Sequence, residues 1–414
     1  MVIKKNSKHL ELFGASILLA LSLIFGTSVS QAQESCRYAF TKAGDESYGS
    51  IKKSFQHNTS YTVEVEAQSP VKDQCVLATC HLQGWASTLE SDQLKRSGKL
   101  IEISTDHQAL VHWLREASRA IESEKEINPI KIGLEADSQY SRSLSADIGI
   151  VPTSAWQPKI PLESGWLTRM ERYVLNIVLR SRVALQATAD PIKRKEIRSQ
   201  AVASLLKTFK DQVGAFPEKF EFEGSTYTPH SFQEKFFPEV SVKFMGVGAN
   251  PNRKMKTALY KYEAEEWVQA KLEDMERIIK NRLDSGHSVY LMYDHYREFV
   301  DTASGIMSIA AFKMPTEGRP LPRSVRSLIE ARDMGHVVVV TGYDLDQKTG
   351  KISKLKIKNS WGVKAGDNGY YHMYRDYSRV FVKAVAVPPA DALAILSTED
   401  VLPPASQPKV TSEK

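Results

Sequence analysis

The hydrophobic pattern changes period near Gly286, and this change limits the folds open to the 414-residue chain. Upstream, roughly from Thr105 to Ser285, apolar residues recur at helical spacing, whereas downstream short β-branched and aromatic runs predict strands. A helical first part followed by a strand-rich last part is typical of an α+β fold. The predicted middle helices are His107–Glu124, Leu162–Ala187, Lys193–Val213 and Ala258–Leu283. The predicted strands are Tyr61–Val65, Val289–Tyr293, Val337–Thr341, Leu355–Lys358, Tyr370–Tyr374 and Val380–Val387.

Residues 1–32 have the three parts of a secretory signal peptide. A basic start precedes an apolar run from Leu12 to Val29 and a small-residue exit at Ser30-Gln31-Ala32, so we expect cleavage after Ala32. An uncleaved anchor is the alternative, because the apolar run approaches the roughly 20 residues that span a bilayer. We therefore expect export to the periplasm or the extracellular space, with membrane contact only through this signal.

The rest of the chain divides into four segments. Residues 33–104 form the N-terminal part of the folded domain, residues 105–285 a mainly helical insertion, residues 286–390 the sheet-rich part, and residues 391–414 a Pro-rich tail expected to be flexible. A hydrophobic fraction of 42% with 25% charged residues is the balance of a folded globular protein and does not suggest a fibre or a disordered chain. The formal charge of +6 is mild and gives no reason to propose nucleic acid as a partner. We interpret the basic run Lys193-Arg194-Lys195, followed by Glu196, as a solvated helix face.

The three cysteines are an odd number, so in an oxidising compartment at least one thiol is left over. Cys36 could pair with Cys75 and leave Cys80 as a thiol, or Cys75 could pair with Cys80; the sequence leaves both pairings open. Cys75-x4-Cys80 with His81 lacks the paired spacing of a zinc cluster. We expect no metal and no cofactor.

Three residues carry the chemistry that this sequence suggests. Cys80 follows Thr79, a possible N-cap, and opens an apolar stripe of Leu82, Trp85, Ala86 and Leu89 at helical spacing, so its thiol lies at a helix N-terminus, where the thiolate is favoured. His336 leads into the strand Val337–Thr341, and Asn359 follows another strand in Lys358-Asn-Ser-Trp-Gly362. An imidazole can activate a thiol while a carboxamide fixes its tautomer, and Trp361 could shield that hydrogen bond from water.

These residues resemble those of the papain family. The segment Pro70-Val-Lys-Asp-Gln-Cys-Val-Leu-Ala-Thr-Cys80, with Gln74 six positions before Cys80 and Glu90 ten after it, is similar to the segment that carries that family's nucleophile. Gly335-His336 and Lys358-Asn-Ser-Trp-Gly362 are similar to its histidine and asparagine segments. The helical insertion between Cys80 and His336, together with Gly369-Tyr-Tyr-His-Met373, resembles the bleomycin hydrolase and aminopeptidase C branch.

The resemblance implies a papain-like two-part α+β fold, in which a helical part carries the Cys80 helix and an antiparallel, sheet-rich part carries His336 and Asn359. It implies a cysteine peptidase acting on peptide or protein substrates, with Cys80 as nucleophile, His336 as base, Asn359 as orienting residue and Gln74 as oxyanion donor. Endopeptidase and aminopeptidase action stay open, as does the oligomeric state. His81 stands where the family usually has Trp, which motivates one alternative: a catalytically silent papain-like protein that binds peptides or an envelope partner.

Overall fold

The computed structural model describes residues 51–75, 77–123, 138–162, 164–242, 244–248, 267–312 and 335–396. The predicted signal peptide, Cys36 and the tail after residue 396 lie outside this part of the chain. Within it, no helix is both long enough and apolar enough to cross a bilayer.

The helices concentrate in the first two thirds of the chain, as the pattern predicts. They are α1 (Cys80–Ser97), α2 (Thr105–Glu122), α3 (Ser138–Ile148), α4 (Ser164–Gln186), α5 (Pro191–Val213), α6 (Pro229–Phe236), α7 (Leu272–Asp284), α8 (Arg375–Phe381) and α9 (Pro389–Leu393). Their ends follow local chemistry: α1 stops at Gly98, whose φ of 69° suits glycine, and the Ser104 side chain caps α2 by accepting from the His107 N–H.

The strands form one large sheet and a separate hairpin. They are β1 (Val63–Glu64), β2 (Phe220–Phe222), β3 (Ser225–Tyr227), β4 (Met245–Gly248), β5 (Trp267–Gln269), β6 (Val289–Asp294), β7 (Val300–Asp301), β8 (Ile306–Met307), β9 (Gly335–Leu345), β10 (Ile352–Lys358), β11 (Tyr370–Tyr374) and β12 (Val382–Val387). The large sheet has the order β5-β4-β12-β6-β9-β10-β11-β8-β7, with β1 added to β9. Its central pairs are antiparallel, and the hairpin is β2-β3.

The sheet separates two hydrophobic cores. Along β6, Tyr290 and Met292 face the core built with the helices α1 to α6, while Val289 and Leu291 face a second core that includes α7 and α8. Because successive strand residues point to opposite faces, a strand buried on both sides is almost continuously apolar. This explains the unbroken apolar run that follows His336 in β9.

Two expectations about the middle of the chain need correction. The predicted helix Ala258–Leu283 is wrong at its centre, because Trp267–Gln269 is a strand and the helix begins only at Leu272; residues 258–266 lie outside the described part. Strands β4 and β5, from within the expected helical insertion, join the main sheet. The predicted strand Val380–Val387 starts at Val382, after a short helix. Short apolar runs do not distinguish strand from helix by periodicity.

The helix of Cys80 is buried all round and not only along its predicted stripe. Every side chain from His81 to Gln93 is buried, polar ones included. Helix α1 is thus the central element of the helical part.

The C-terminal end of the described chain also packs against the fold. Ala392 in α9 and Leu396 are buried, although both belong to the segment expected to be a flexible tail.

Candidate active site

Cys80 is the first residue of α1, so its backbone N–H and those after it belong to a helix N-terminus. It is partly exposed and retains its thiol, whereas Cys75 is disulfide-bonded. The pairing of Cys75 with Cys80, which the sequence left open, is therefore excluded. A thiol at a helix N-terminus is stabilised as thiolate by the unpaired N–H groups and the helix dipole.

Gly84 brings the Cys80 helix close to the strand of His336. It lies one turn beyond Cys80, and a Cβ added there would come within 3.0 Å of Val337 Cγ1 and 3.3 Å of the Tyr290 ring. A larger residue would push α1 away from β9 and β6. The hydroxyl of Tyr290 also donates to the His81 carbonyl at 3.2 Å, which fixes the first turn of α1 against the sheet.

His336 and Asn359 are hydrogen-bonded to each other. The distance from His336 Nε2 to Asn359 Oδ1 is 2.8 Å, and the same oxygen accepts the backbone N–H of Ser360 at 2.8 Å. Because a carboxamide oxygen only accepts, Nε2 carries the proton and Nδ1 is the basic nitrogen. Both residues are almost completely buried, so this hydrogen bond is shielded from water.

Aromatic rings surround the imidazole of His336. Trp361 stacks on it with ring centroids 4.7 Å apart and an interplanar angle of 24°, and Tyr293, its partner across the β6–β9 ladder, lies edge-on at 5.7 Å. His295 packs edge-on against Trp361 at 4.9 Å, and its Nδ1 is 3.0 Å from the Tyr293 hydroxyl. These contacts restrict the imidazole to one orientation.

The burial sets the charge state of this cluster. Desolvation lowers the pKa of His336 to about 4, opposed by its hydrogen bond to Asn359. Desolvation also lowers the pKa of His295 well below its usual value, with the nearby charges of His336 and Arg297 acting in the same direction. It raises the pKa of Tyr293 well above 10, and Tyr377, Tyr371 and Cys80 act in the same direction. His336 is therefore a neutral base until a neighbouring anion, such as a Cys80 thiolate, stabilises its protonated form.

Gln74 is held in place by three hydrogen bonds. Its backbone N–H donates to the Ser360 carbonyl at 2.8 Å, its Oε1 accepts from Ser360 Oγ at 2.7 Å, and its Nε2 donates to the Leu77 carbonyl at 2.9 Å. An amide nitrogen has two protons, so the second N–H of Nε2 is left to donate to a substrate. Ser360 thus links the predicted oxyanion donor to the residue next to Asn359.

A buried ionic cluster holds together the three segments that supply these residues. Glu90 of α1 bonds Lys72 Nζ at 2.8 Å and the Ile103 N–H at 2.6 Å, while Lys358 of β10 donates to the Ser69 carbonyl at 2.5 Å. Desolvation lowers the pKa of Lys358 to about 7, opposed by the charge of Glu90. Lys72 lies two residues before Gln74 and Lys358 one before Asn359, so these contacts join the segments of Gln74 and Asn359 to each other and to α1.

His81 is buried inside the helical part. Its ring is fully buried, and its Nδ1 is 2.7 Å from Ser141 Oγ of α3. Trp85, one turn further along α1, donates to Ser145 Oγ of the same helix at 3.1 Å. The unusual residue after Cys80 therefore joins α1 to the helical part of the molecule.

The structure places Cys80 at the start of α1 and His336 at the start of β9, which packs against α1. Asn359 is hydrogen-bonded to His336, and Gln74 to Ser360. The sequence analysis missed Ser360, Tyr293 and His295. Ser360 lies within the motif Lys358-Asn-Ser-Trp-Gly362. Tyr293 is the last residue of the predicted strand Val289–Tyr293, and it pairs with His336. Among the described residues, no group of three or more His, Cys, Asp or Glu could hold a metal ion.

Comparison with known proteins agrees with this geometry. Residues 252–399 match the profile of the Peptidase C1-like family. The chain is 26% identical over 117 residues to cysteine proteinase 1, mitochondrial, of Saccharomyces cerevisiae, covering 28% of this chain and 24% of the yeast protein. It is 26% identical over 199 residues to aminopeptidase G of Lactobacillus delbrueckii subsp. lactis, covering 45% and 44%. The chain thus spans less than half the length of these relatives.

A solved structure shows the fold over most of the chain. The crystal structure of pepw from Lactobacillus rhamnosis superposes with a TM-score of 0.65 at 17% identity, covering 82% of this chain and 84% of that one. The helical part with the Cys80 helix and the sheet-rich part with His336 and Asn359 are the two parts expected of a papain-like α+β fold. Residues 252–399 thus match the Peptidase C1-like family, and the chain shares its fold with the pepw structure over most of its length.

Proposed function

We propose that this protein is a cysteine peptidase that cleaves peptide bonds by acyl transfer through a Cys80 thioester. The observation that carries the proposal is the 2.8 Å hydrogen bond between His336 Nε2 and Asn359 Oδ1, at the edge of a strand packed against the helix that starts with a Cys80 thiol. The family relatives named as a cysteine proteinase and as aminopeptidases support it.

The chemistry follows from the positions. The Cys80 thiol transfers its proton to Nδ1 of His336, and the thiolate attacks the carbonyl carbon of the peptide bond. The Cys80 N–H and the second Nε2–H of Gln74 donate to the oxygen on which negative charge develops. The imidazolium then protonates the leaving amine, and His336 later activates the water that hydrolyses the thioester.

The decisive experiment compares the wild type with Cys80→Ala on fluorogenic peptides, in mild reductant. We expect turnover to disappear in Cys80→Ala and a thiol-directed covalent inhibitor to label Cys80 alone. Running the screen with free and with blocked peptide N-termini separates aminopeptidase from endopeptidase action. Full activity in Cys80→Ala would rule the mechanism out, and peptide binding without turnover by the wild type would favour the catalytically silent alternative.

We also propose that the protein acts outside the cytoplasm after removal of residues 1–32. The disulfide at Cys75 supports this, because disulfides persist mainly in oxidising compartments. Cell fractionation with N-terminal sequencing tests it: we expect the mature chain to start at Gln33 in the exported fraction. A cytoplasmic protein that starts at Met1 would contradict it.

A further inference from the structure

The segment that ends at Gln74 is paired with the segment of Ser360. The Gln74 N–H donates to the Ser360 carbonyl at 2.8 Å, and Asp73 forms an isolated β-bridge with Trp361. These contacts fix the backbone on the N-terminal side of Gln74. The path from Gln74 to Cys80 is determined by other interactions.

That path begins with a tight turn from Gln74 to Leu77. The Leu77 N–H donates to the Gln74 carbonyl at 3.0 Å, and the side-chain Nε2 of Gln74 donates to the Leu77 carbonyl at 2.9 Å. The backbone and the side chain of Gln74 are thus both bonded to the residue three positions further on. The direction of the Nε2–H that is left for a substrate therefore depends on the shape of this turn.

Cys75 is the second residue of the turn, and its backbone conformation is unusual. Its φ is 50°, in the left-handed region where a side chain crowds the backbone. Turns with a positive φ at this position are dominated by Gly, Asn and Asp, which tolerate it. The Asp73 side chain accepts the Cys75 N–H at 2.9 Å and favours the turn. A strained residue persists only where its surroundings hold it in place, and such residues cluster at active sites.

Cys75 is also disulfide-bonded, so a covalent bond restrains the strained residue of the turn. A cross-link removes conformations from the chain and favours those compatible with it. The disulfide thus holds the residue that directly follows Gln74. Cys75 is partly exposed, which makes it accessible to a reductant in solution.

We propose that the disulfide of Cys75 positions the oxyanion donor Gln74, so that the enzyme is fully active only with Cys75 oxidised and Cys80 a thiol. This inference rests on the proposed peptidase function, and Cys75 acts in it through Gln74. A dithiol reductant breaks the S–S bond, leaves two protein thiols and becomes a cyclic disulfide itself. The turn then loses its restraint. An oxidising compartment therefore maintains the active form and a reducing one removes it.

The test compares two variants that both lose the disulfide, in a low concentration of a monothiol that keeps free thiols reduced. Cys75→Ala leaves a strained residue in the turn and should lower kcat about tenfold or more, with a smaller change in KM, because a displaced donor stabilises the developing charge less. Cys75→Asn tolerates the left-handed region and should keep kcat within about threefold of the wild type. The melting temperature should fall in both, so recovery of kcat alone separates positioning from stability.

Glu223 provides a matched control. It is exposed, lies in the separate β2–β3 hairpin and has the same φ of 50°. Glu223→Ala should therefore leave kcat unchanged. Mass spectrometry should show Cys75 of the active wild type linked to Cys36, the third cysteine of the chain. Cys75 found as a thiol in the active enzyme would overturn the inference.

A titration with dithiol completes the test. Wild-type kcat should fall to the level of Cys75→Ala, whose own kcat should stay constant. Alkylation of Cys80 by iodoacetamide needs no oxyanion donor, so its rate should be equal in all forms. An unchanged kcat in Cys75→Ala, or an equal loss in Cys75→Asn, overturns the inference and leaves the peptidase function intact. A wild type that is alkylated at Cys80 but turns over no peptide refutes the proposed function, and this inference with it.

Discussion

The sheet-rich part and the helical part each bury a histidine against aromatic rings, His336 and His107. The two histidines differ in what their ring nitrogens contact. Desolvation lowers the pKa of both His336 and His107 to about 4. His336 stacks on Trp361, whereas His107 lies edge-on between Trp156 and Phe216, with both ring centroids 5.5 Å away. His336 bonds Asn359, but His107 Nδ1 has no hydrogen-bond partner within the described part of the chain.

Burial and a shifted pKa therefore do not by themselves make a catalytic group. What distinguishes His336 is a carboxamide that fixes its tautomer and a thiol-bearing helix N-terminus packed beside its strand. His107 is a structural residue of the helical core. The two parts also offer matched pairs of the same residue type: Gln74 and Ser360 near the site, Gln108 and Ser145 in the helical part.

The largest contrast is expected from the histidines themselves. His336→Ala should lower kcat/KM by about four orders of magnitude or more, the scale on which an enzyme responds to losing one member of such a nucleophile–base set. His107→Phe should leave kcat/KM within about twofold of the wild type, since its ring packs on Trp156 and Phe216 and not on a residue of the site. Steady-state kinetics on one fluorogenic peptide measures both; equal losses would show that the helical histidine is part of the machinery.

The two glutamines should differ next. Gln74→Ala removes an oxyanion donor and should lower kcat about 10²- to 10³-fold with a smaller change in KM. Gln108→Ala removes a buried amide that donates to Ser145 Oγ at 2.9 Å, so it should lower the melting temperature and leave kcat unchanged. Gln74→Glu is the close-size variant, because it keeps the shape but loses the donor. An unaffected kcat in Gln74→Ala would remove this residue from the mechanism.

The sequence predicted the helix that begins at Cys80 and the strand into which His336 leads, because both patterns are local. A cysteine before an apolar helical stripe, and a histidine leading into an apolar strand, are visible within a few residues. Ser360, Tyr293 and His295 were missed because their roles depend on pairing between segments distant in the chain, such as the β6–β9 register that sets Tyr293 opposite His336. No periodicity carries that information.

The same reason explains what was misread in the fold. The sequence predicted only one apolar stripe along α1, but the polar Glu90 of this helix is buried as well, in an ion pair with Lys72 from another segment. Strand Trp267–Gln269 has only three residues and is defined by its pairing with β4. Where tertiary contacts determine an element, a local pattern does not show it.

The serines give a smaller contrast. Ser360→Ala frees Gln74 Oε1 from its 2.7 Å hydrogen bond, and a less well fixed oxyanion donor should lower kcat about tenfold. Ser145→Ala removes the oxygen that accepts hydrogen bonds from Trp85 and Gln108. It should destabilise the protein by about 1 to 3 kcal/mol without affecting kcat. If Ser360 has only a structural role, Ser360→Ala will lower the melting temperature without lowering kcat. There will then be no loss of kcat for the hydroxyl of Ser360→Thr to recover.

The smallest effect is on the pH dependence of stability. The unfolded chain protonates a histidine near pH 6.5, but folded His107 does so only near pH 4, so between these values the unfolded state binds more protons. Stability is therefore lost as pH falls through this window, by about 1.4 kcal/mol per pH unit for each such histidine. Asp106, whose pKa is raised to about 6 by burial, opposes this trend between about pH 6 and pH 4, because there the folded state holds a proton that the unfolded chain has lost.

His107→Phe should remove one histidine's share of this loss. Chemical denaturation at several pH values between about 6.5 and 4 measures the slope of the unfolding free energy, and we expect it to become shallower by about 1.4 kcal/mol per pH unit. The ring nitrogen that lacks a partner is also removed, so the variant should be at least as stable as the wild type at neutral pH. An unchanged slope would mean that His107 is protonated in the folded protein as readily as in the unfolded chain. The pKa of His107 would then not be lowered as that of His336 is.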